Sequence, residues 1–370
     1  MSAPTPLSAL ETPAVVVDLD RMERNLDAAA EYAAANGLSL RPHVKTHKSP
    51  LVATMQLKRG ARGLTCATPF EAEVMSAVGD DLLVAYPPIG APRARRISWL
   101  PPHVRVTVAL DSVQAVDELA HAAHAAGRTI FVYVELDLGM HRVGVPQLDD
   151  ALAIASRVKA ARGLEFDGLA FYPGHVREPV DRQDDKLREL GTSLEHALSR
   201  FDAAGLSPRV VSGGSTPTLW RSHELPGVTE IRPGTYVYND RTTAAIGACA
   251  WEECALTVLA TVVSTAVPGQ AVIDAGTKSL GREPVRGIDG EGFGQLLEHP
   301  EVVVSRMSEE HGVLDLEQTD WQPVVGERVR VVPNHVCIVV HLNDLVYGAR
   351  GDMAVTSWPV AARGRGQLPL

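Results

Sequence analysis

The chain has 370 residues, of which 45% are hydrophobic and 22% charged, a composition that excludes disordered, collagen-like and coiled-coil organisation. Its formal charge of −10 (35 Lys+Arg against 45 Asp+Glu) comes without any basic run, which excludes nucleic acid and anionic membrane as main partners, because both need clustered positive charge. At roughly 100–200 residues per domain, the length points to two domains. The opening MSAPTPLSALETP has neither a basic start nor an apolar stretch, so no signal peptide is expected. No run approaches the ~18 apolar residues of a membrane-spanning helix. The four cysteines, Cys66, Cys249, Cys254 and Cys337, form no CxxC pair, which predicts a reducing, cytoplasmic setting without a disulfide scaffold.

In chain order, PAVVVDLD reads as a short buried strand. An Ala-rich helix follows, with Asp20 as its predicted N-cap, Glu23 completing a capping box, and Asn36-Gly37 as its stop. Strand-like runs then recur at 38–45, 63–67, 82–86, 104–110, 129–136, 166–172, 209–212 and 228–231, with helical patterns such as 112–127 and 148–163 between most of them. Alternation of this kind requires parallel pairing through right-handed crossovers, and eight units is the closure number of a (β/α)8 barrel. A doubly wound open sheet is the competing arrangement. Beyond about residue 245 the period changes, and ECALTVLATVVSTAV, GQAVIDAG, ERVRVVPNHVCIVVHL and MAVTSWPV read as strands of a separate β domain over 246–370.

Side chains able to do chemistry collect at the predicted C-terminal strand ends, the functional face of a barrel. The segment RPHVKTHK (41–48) places Lys45 beside Arg41, His43, His47 and Lys48. Neighbouring cations can lower a lysine's pKa and prepare it for Schiff-base chemistry. Taken alone, a solvated basic loop is the plainer reading of the segment. Arg142 follows the fifth strand, and Tyr172 and His175 follow the sixth. SGGST (212–216) and RPGTY (232–236) follow the seventh and eighth, where small turns suit a phosphate. A phosphate site opposite an imine-forming lysine points to pyridoxal phosphate (PLP). In the β domain, His335 and Cys337 stand at i, i+2, hence on one face if the segment is a strand. Imidazole and thiolate suit zinc, whereas a cysteine facing a core is the plainer alternative.

Together these segments resemble the fold-type III PLP enzymes, in the branch of D-threonine aldolase and D-serine dehydratase, over nearly the whole chain. The resemblance implies a PLP-binding barrel over 19–245, with residues 1–18 joining the C-terminal β domain. It implies Lys45 as the Schiff-base lysine, and Arg142, Tyr172, Gly214, Ser215, Thr216, Gly234, Thr235 and Tyr236 as cofactor contacts. It implies His335 and Cys337 as ligands of a divalent metal, Zn or Mn, and a homodimer acting on a small D-amino acid. The segments 274–279 and 309–312 match family positions able to reach a site, the partner's included, and read equally as ordinary turns. PGHVREPV after Tyr172 and IVV after Cys337 depart from the family pattern.

The implied activity is a metal-assisted lyase acting on D-β-hydroxy-α-amino acids. Retro-aldol cleavage would give glycine and an aldehyde, with His43 as a candidate base for the hydroxyl proton. Dehydration to a 2-oxo acid and ammonia is the alternative, with Lys45 removing the Cα proton, and Cys337 leans toward it. An amino-acid racemase and a non-catalytic PLP-binding protein are further readings. The His-x-Cys pair counts against the first and the long β domain against the second.

Overall fold

A computed structural model describes residues 4–366. Eight strands pair in parallel: Ser39–Leu40, Leu64–Cys66, Asp81–Val84, Arg105–Leu110, Ile130–Leu136, Leu164–Phe171, Val210–Gly213 and Glu230–Ile231. The first strand pairs with the eighth. Its other side meets the second through a parallel bridge, His43 to Thr65, where the Thr65 N–H donates to the Pro42 carbonyl at 2.9 Å. The ring is therefore closed, a barrel rather than an open sheet. Valine- and leucine-rich strands such as Arg105–Leu110 and Ile130–Leu136 are buried along almost their whole length, as parallel strands covered by helices must be.

The crossover helices begin at local signals. Pro50 and Pro69 occupy first-turn positions, while Thr68 and Ser112 cap the N–H groups of Glu71 and Ala115. The first helix, Leu19–Ala35, begins earlier than the sequence predicts. Its N-cap is Asp18, accepting the Arg21 N–H at 3.0 Å. The strand Ala14–Asp18 runs directly into that helix, so Asp20 already lies in the first turn, and Glu23 bonds Arg350 at 2.7 Å.

The barrel's interior is ionic where apolar side chains would be ordinary. Arg41 is fully buried, bonding Glu230 at 2.7 Å and Asp81 at 2.9 Å. Asp167, also buried, receives Arg105 at 2.7 Å and Arg209.

The second layer is a ten-stranded sheet. Ala14–Asp18 lies inside it, antiparallel to Leu256–Ser264 and parallel to Leu345–Arg350. One apolar core spans this sheet and the first helix, and a second fills the space between the barrel and its other helices. The segment around His335 departs from its strand reading. The strand Arg328–Pro333 ends at Pro333 and Asn334, and Val336–Leu342 is a helix that buries Val336, Val339 and Val340. Buried Asn334 holds this corner by donating to the carbonyls of Glu283 and Gly292 at 2.9 and 2.8 Å. Among the described residues, no helix is long and apolar enough to cross a membrane.

Candidate active site

Two contiguous cavities open at the C-terminal ends of the barrel strands, a recess of about 80 Å³ and a cleft of about 710 Å³, and His43, Lys45 and Arg142 line both. After the first barrel strand the chain turns sharply, the Val44 carbonyl accepting the N–H groups of His47 and Lys48. This turn sorts the basic residues of RPHVKTHK. Arg41 points into the barrel and is neutralised there by Glu230 and Asp81. Lys48 is paired with buried Glu71. The His47 ring lies between Gln56 (3.2 Å) and the Ser49 N–H (3.1 Å), and burial lowers its pKa to about 3. Only His43 and Lys45 reach the cavities without an ion-pair partner among the described residues. Burial, with Lys45 and Arg232 close by, holds His43 well below the ordinary imidazole range, so it is neutral.

The Lys45 ammonium lies 5.6 Å from the Tyr172 ring centroid, and the Arg142 guanidinium 5.0 Å from the same ring, both within cation–π reach. Gly214, Ser215, Thr216, Gly234 and Thr235 line the recess. Gly214 has φ +96°, a conformation L side chains rarely adopt. A Cβ on Gly234 would stand 2.9 Å from the Thr46 hydroxyl and 3.3 Å from His43, so the turn needs glycine to pass this close. The Tyr236 N–H donates to the Thr216 hydroxyl at 3.2 Å, lacing the two turns together. The Tyr236 ring turns away, its hydroxyl accepting from Gln56 at 3.0 Å. His175 stands apart from these cavities, in a surface groove beside Asp137 and Gly139.

Sequence reasoning missed three residues. Arg232 lies buried in the recess, donating to the Ser212 hydroxyl (3.0 Å) and the Phe171 carbonyl (2.8 Å). Glu135 lines the recess with it, its pKa raised by burial against the pull of Arg232 and Arg142. Asp240 supports the His335 corner from beneath. Its buried carboxylate accepts His335 Nδ1 at 3.0 Å, the Val336 N–H at 3.2 Å and the Thr243 N–H at 2.9 Å. Asp240 followed by Thr243 was a readable helix cap, whereas its reach to His335, 95 residues on, left no local signal.

His335 and Cys337 meet in the cleft although they do not share a strand face. Because a carboxylate only accepts, His335 Nδ1 carries a proton toward Asp240, which leaves Nε2 as the ring nitrogen that would bind a metal once its own proton is released. Burial alone would raise the Cys337 thiol, but His335, Lys45 and the Thr46 hydroxyl at 3.2 Å outweigh it and bring the thiol to about 7. Burial opposes a charge on His335 too, yet Cys337 and Asp240 hold it well above its usual range. A soft, readily ionised thiol beside a carboxylate-oriented imidazole is a donor pair suited to a divalent metal. Among the described residues, no group of three His, Cys, Asp or Glu converges, so a metal here would complete its coordination with water or substrate. The segments 274–279 and 309–312 bond each other, Lys278 to Glu310 at 2.5 Å, and line neither cavity.

Residues 17–242 match the alanine racemase N-terminal domain family, and residues 255–349 match the serine dehydratase domain. The chain is 35% identical to a D-threo-3-hydroxyaspartate dehydratase of Delftia sp., over 95% of this chain and 97% of that one. It is 32% identical to a 3-hydroxy-D-aspartate aldolase of Paracoccus denitrificans, over 97% and 94%. The solved structure of a D-threonine aldolase from Filomicrobium marinum superposes with a TM-score of 0.91 at 32% identity, covering 99% of both chains. A D-threo-3-hydroxyaspartate dehydratase has also been solved as a histidine-to-alanine and a cysteine-to-alanine variant two positions apart, the second in a metal-free form. This chain belongs to the PLP-dependent fold-type III family, in the branch of D-threonine aldolases, 3-hydroxyaspartate aldolases and dehydratases, and D-serine dehydratases.

Proposed function

We propose that the chain is a PLP- and divalent-metal-dependent lyase of D-β-hydroxy-α-amino acids, cleaving Cα–Cβ to give glycine and an aldehyde. One observation carries this reading: a single cleft holds the Lys45 amine and the His335–Cys337 donor pair. The laced turns at Gly214–Thr216 and Gly234–Thr235 would hold the cofactor's phosphate, and Lys45 would hold its aldehyde carbon. Arg142 and Tyr172 would flank the ring, while Arg232 and Glu135 set the charge of the recess beneath it. His335 Nε2 and Cys337 Sγ would hold the metal. Bound PLP supplies an electron sink for the bond broken at Cα, and the metal a Lewis acid for the β-hydroxyl.

The remaining work falls to the chain's own groups. Neutral His43 is able to take the β-hydroxyl proton, since burial keeps its ring unprotonated at pH 7. Asp240 fixes the His335 tautomer. Lys45, whose amine reaches both cavities, would move a proton at Cα. That second role supports the dehydration reading, which Cys337 and the identity to the Delftia enzyme also favour. The holoenzyme, incubated with D-threonine, decides between them: glycine with acetaldehyde for the aldolase, 2-oxobutanoate with ammonia for the dehydratase. Formation of L-threonine or the allo isomer alone would overturn both.

We also take 19–245 as the barrel domain and 246–370, with 1–18, as the β domain, which the placement of Ala14–Asp18 supports. The family resemblance supports a cytoplasmic homodimer. Sedimentation at micromolar concentration tests the dimer.

A further inference from the structure

The last described residues do not leave the molecule. After the strand Met353–Pro359 the chain runs back across the barrel as a strap. The Val360 N–H donates to the Asp344 carbonyl (2.9 Å) and the Ala362 N–H to the Lys48 carbonyl (3.0 Å). Ala362 is fully buried in the barrel-side core. Arg363 pairs with Asp344, and the Arg365 carbonyl accepts from Arg96 at 3.1 Å. The next residue, Gly366, packs against Phe70 so closely that a Cβ there would stand 2.2 Å from the ring. So fastened, the strap places Gly364 and Arg365 in the wall of the cleft that holds Lys45, His335 and Cys337.

Charge in that wall is unbalanced. Its two carboxylates are already engaged, Glu71 by Lys48 and Glu283 by Arg286. Arg93, Arg142 and Arg365 have no carboxylate within ion-pair distance among the described residues. Arg142 lies against Tyr172 in the recess, and Arg93 lies 5.5 Å over the Tyr86 ring. Thus a chain of net charge −10 presents surplus positive charge at its cleft. The turns suited to phosphate line the recess and none of them lines the cleft, so the surplus lies apart from them. Ile89, Val143 and Ile338 also line the cleft, lowering the local dielectric and strengthening attraction for an anion.

We infer that Arg365, carried on this strap, is a specificity-determining residue that selects D-β-hydroxy-amino acids whose β-substituent bears a carboxylate, with Arg93 as the second cation of the same cleft. The planar guanidinium fork matches a carboxylate through two parallel hydrogen bonds. Both residues are exposed at the cleft mouth, so an aliphatic or aromatic substituent would leave their charges matched by water alone and gain nothing from them. The inference rests on the proposed lyase reading and narrows it.

The test compares the full-length holoenzyme with Arg365→Gln and Arg365→Lys on D-threo-3-hydroxyaspartate and D-threonine. For Arg365→Gln the ratio of the two kcat/KM values, hydroxyaspartate over threonine, falls about tenfold, mainly through KM, as expected for one charge-assisted contact at a partly exposed site. Arg365→Lys recovers part of the loss. Raising salt from 50 to 500 mM lowers the same ratio in the wild type and changes it less in Arg365→Gln. An unchanged ratio in Arg365→Gln, or an equal loss on both substrates, overturns the inference while leaving the lyase reading in place. Calorimetric titration with meso-tartrate, a non-reacting dicarboxylate, and with D-lactate separates the two further. If neither amino acid is turned over, the lyase reading fails. The inference then still stands or falls on whether Arg365→Gln weakens tartrate about tenfold more than lactate.

Discussion

The barrel interior and the cleft above it treat charge in opposite ways. Inside, Arg41 is enclosed by Glu230 and Asp81, and Asp167 by Arg105 and Arg209, so every one of these charges has its counter-charge within the chain. At the mouth, Arg93 and Arg365 have none among the described residues, and the His335–Cys337 donor pair faces the same cleft. Charges removed from water must be matched internally. Arg93 and Arg365 keep their water at the cleft mouth, so a ligand can supply the counter-charge that the chain does not. Within one fold, completeness marks the stabilising network and incompleteness marks the site.

Lys45 is the position where substitution acts most strongly. Lys45→Ala removes the absorbance of lysine-bound cofactor and all measurable turnover, while the thermal midpoint of the apoprotein stays within a few degrees; retention of that absorbance would disprove the cofactor assignment. Arg41→Ala acts on the other side of the contrast. Stranding buried Glu230 costs about 3–5 kcal/mol of stability, read by urea unfolding. Asp240→Asn keeps the shape under His335 but weakens the imidazole's orientation, and zinc affinity measured by calorimetry drops roughly 10–100-fold.

The smallest effect sharpens the contrast through pH. Buried His47 titrates near 3 in the folded chain and near 6.5 unfolded, so between those values the unfolded state binds more protons. Stability therefore falls as pH drops below about 6.5. The His47 contribution is about 2 kcal/mol between pH 6.5 and 5. His47→Gln flattens that slope in unfolding curves taken at pH 5, 6 and 7, and an unaltered slope would sink the assignment.

What could be read from the sequence follows from where each signal resides. The eight barrel strands were legible because strands buried on both faces become continuous valine and leucine runs. Lys45, Tyr172 and the two glycine turns were legible because a barrel gathers its strand ends on one face. Val336–Leu342 was misread because a short apolar run looks the same in a buried strand and a buried helix, and Pro333-Asn334 was the only punctuation between them. Asp20 was preferred to Asp18 because both are good caps, and pairing of Ala14–Asp18 within the sheet decided between them. Arg232, Glu135 and Asp240 were illegible because their roles depend on side chains brought together only by the closed barrel and the β layer.

The strand Ala14–Asp18 also imposes an order in time. It precedes the barrel in the chain, yet both its neighbours, Leu256–Ser264 and Leu345–Arg350, come after the whole barrel. At ribosomal speeds of roughly 5–20 residues per second, that strand waits on the order of ten to fifty seconds for its first partner. During that wait an apolar edge is open to any other nascent copy. A chain stopped after the barrel would keep this edge unpaired for good, so the barrel's solubility depends on sequence translated after it.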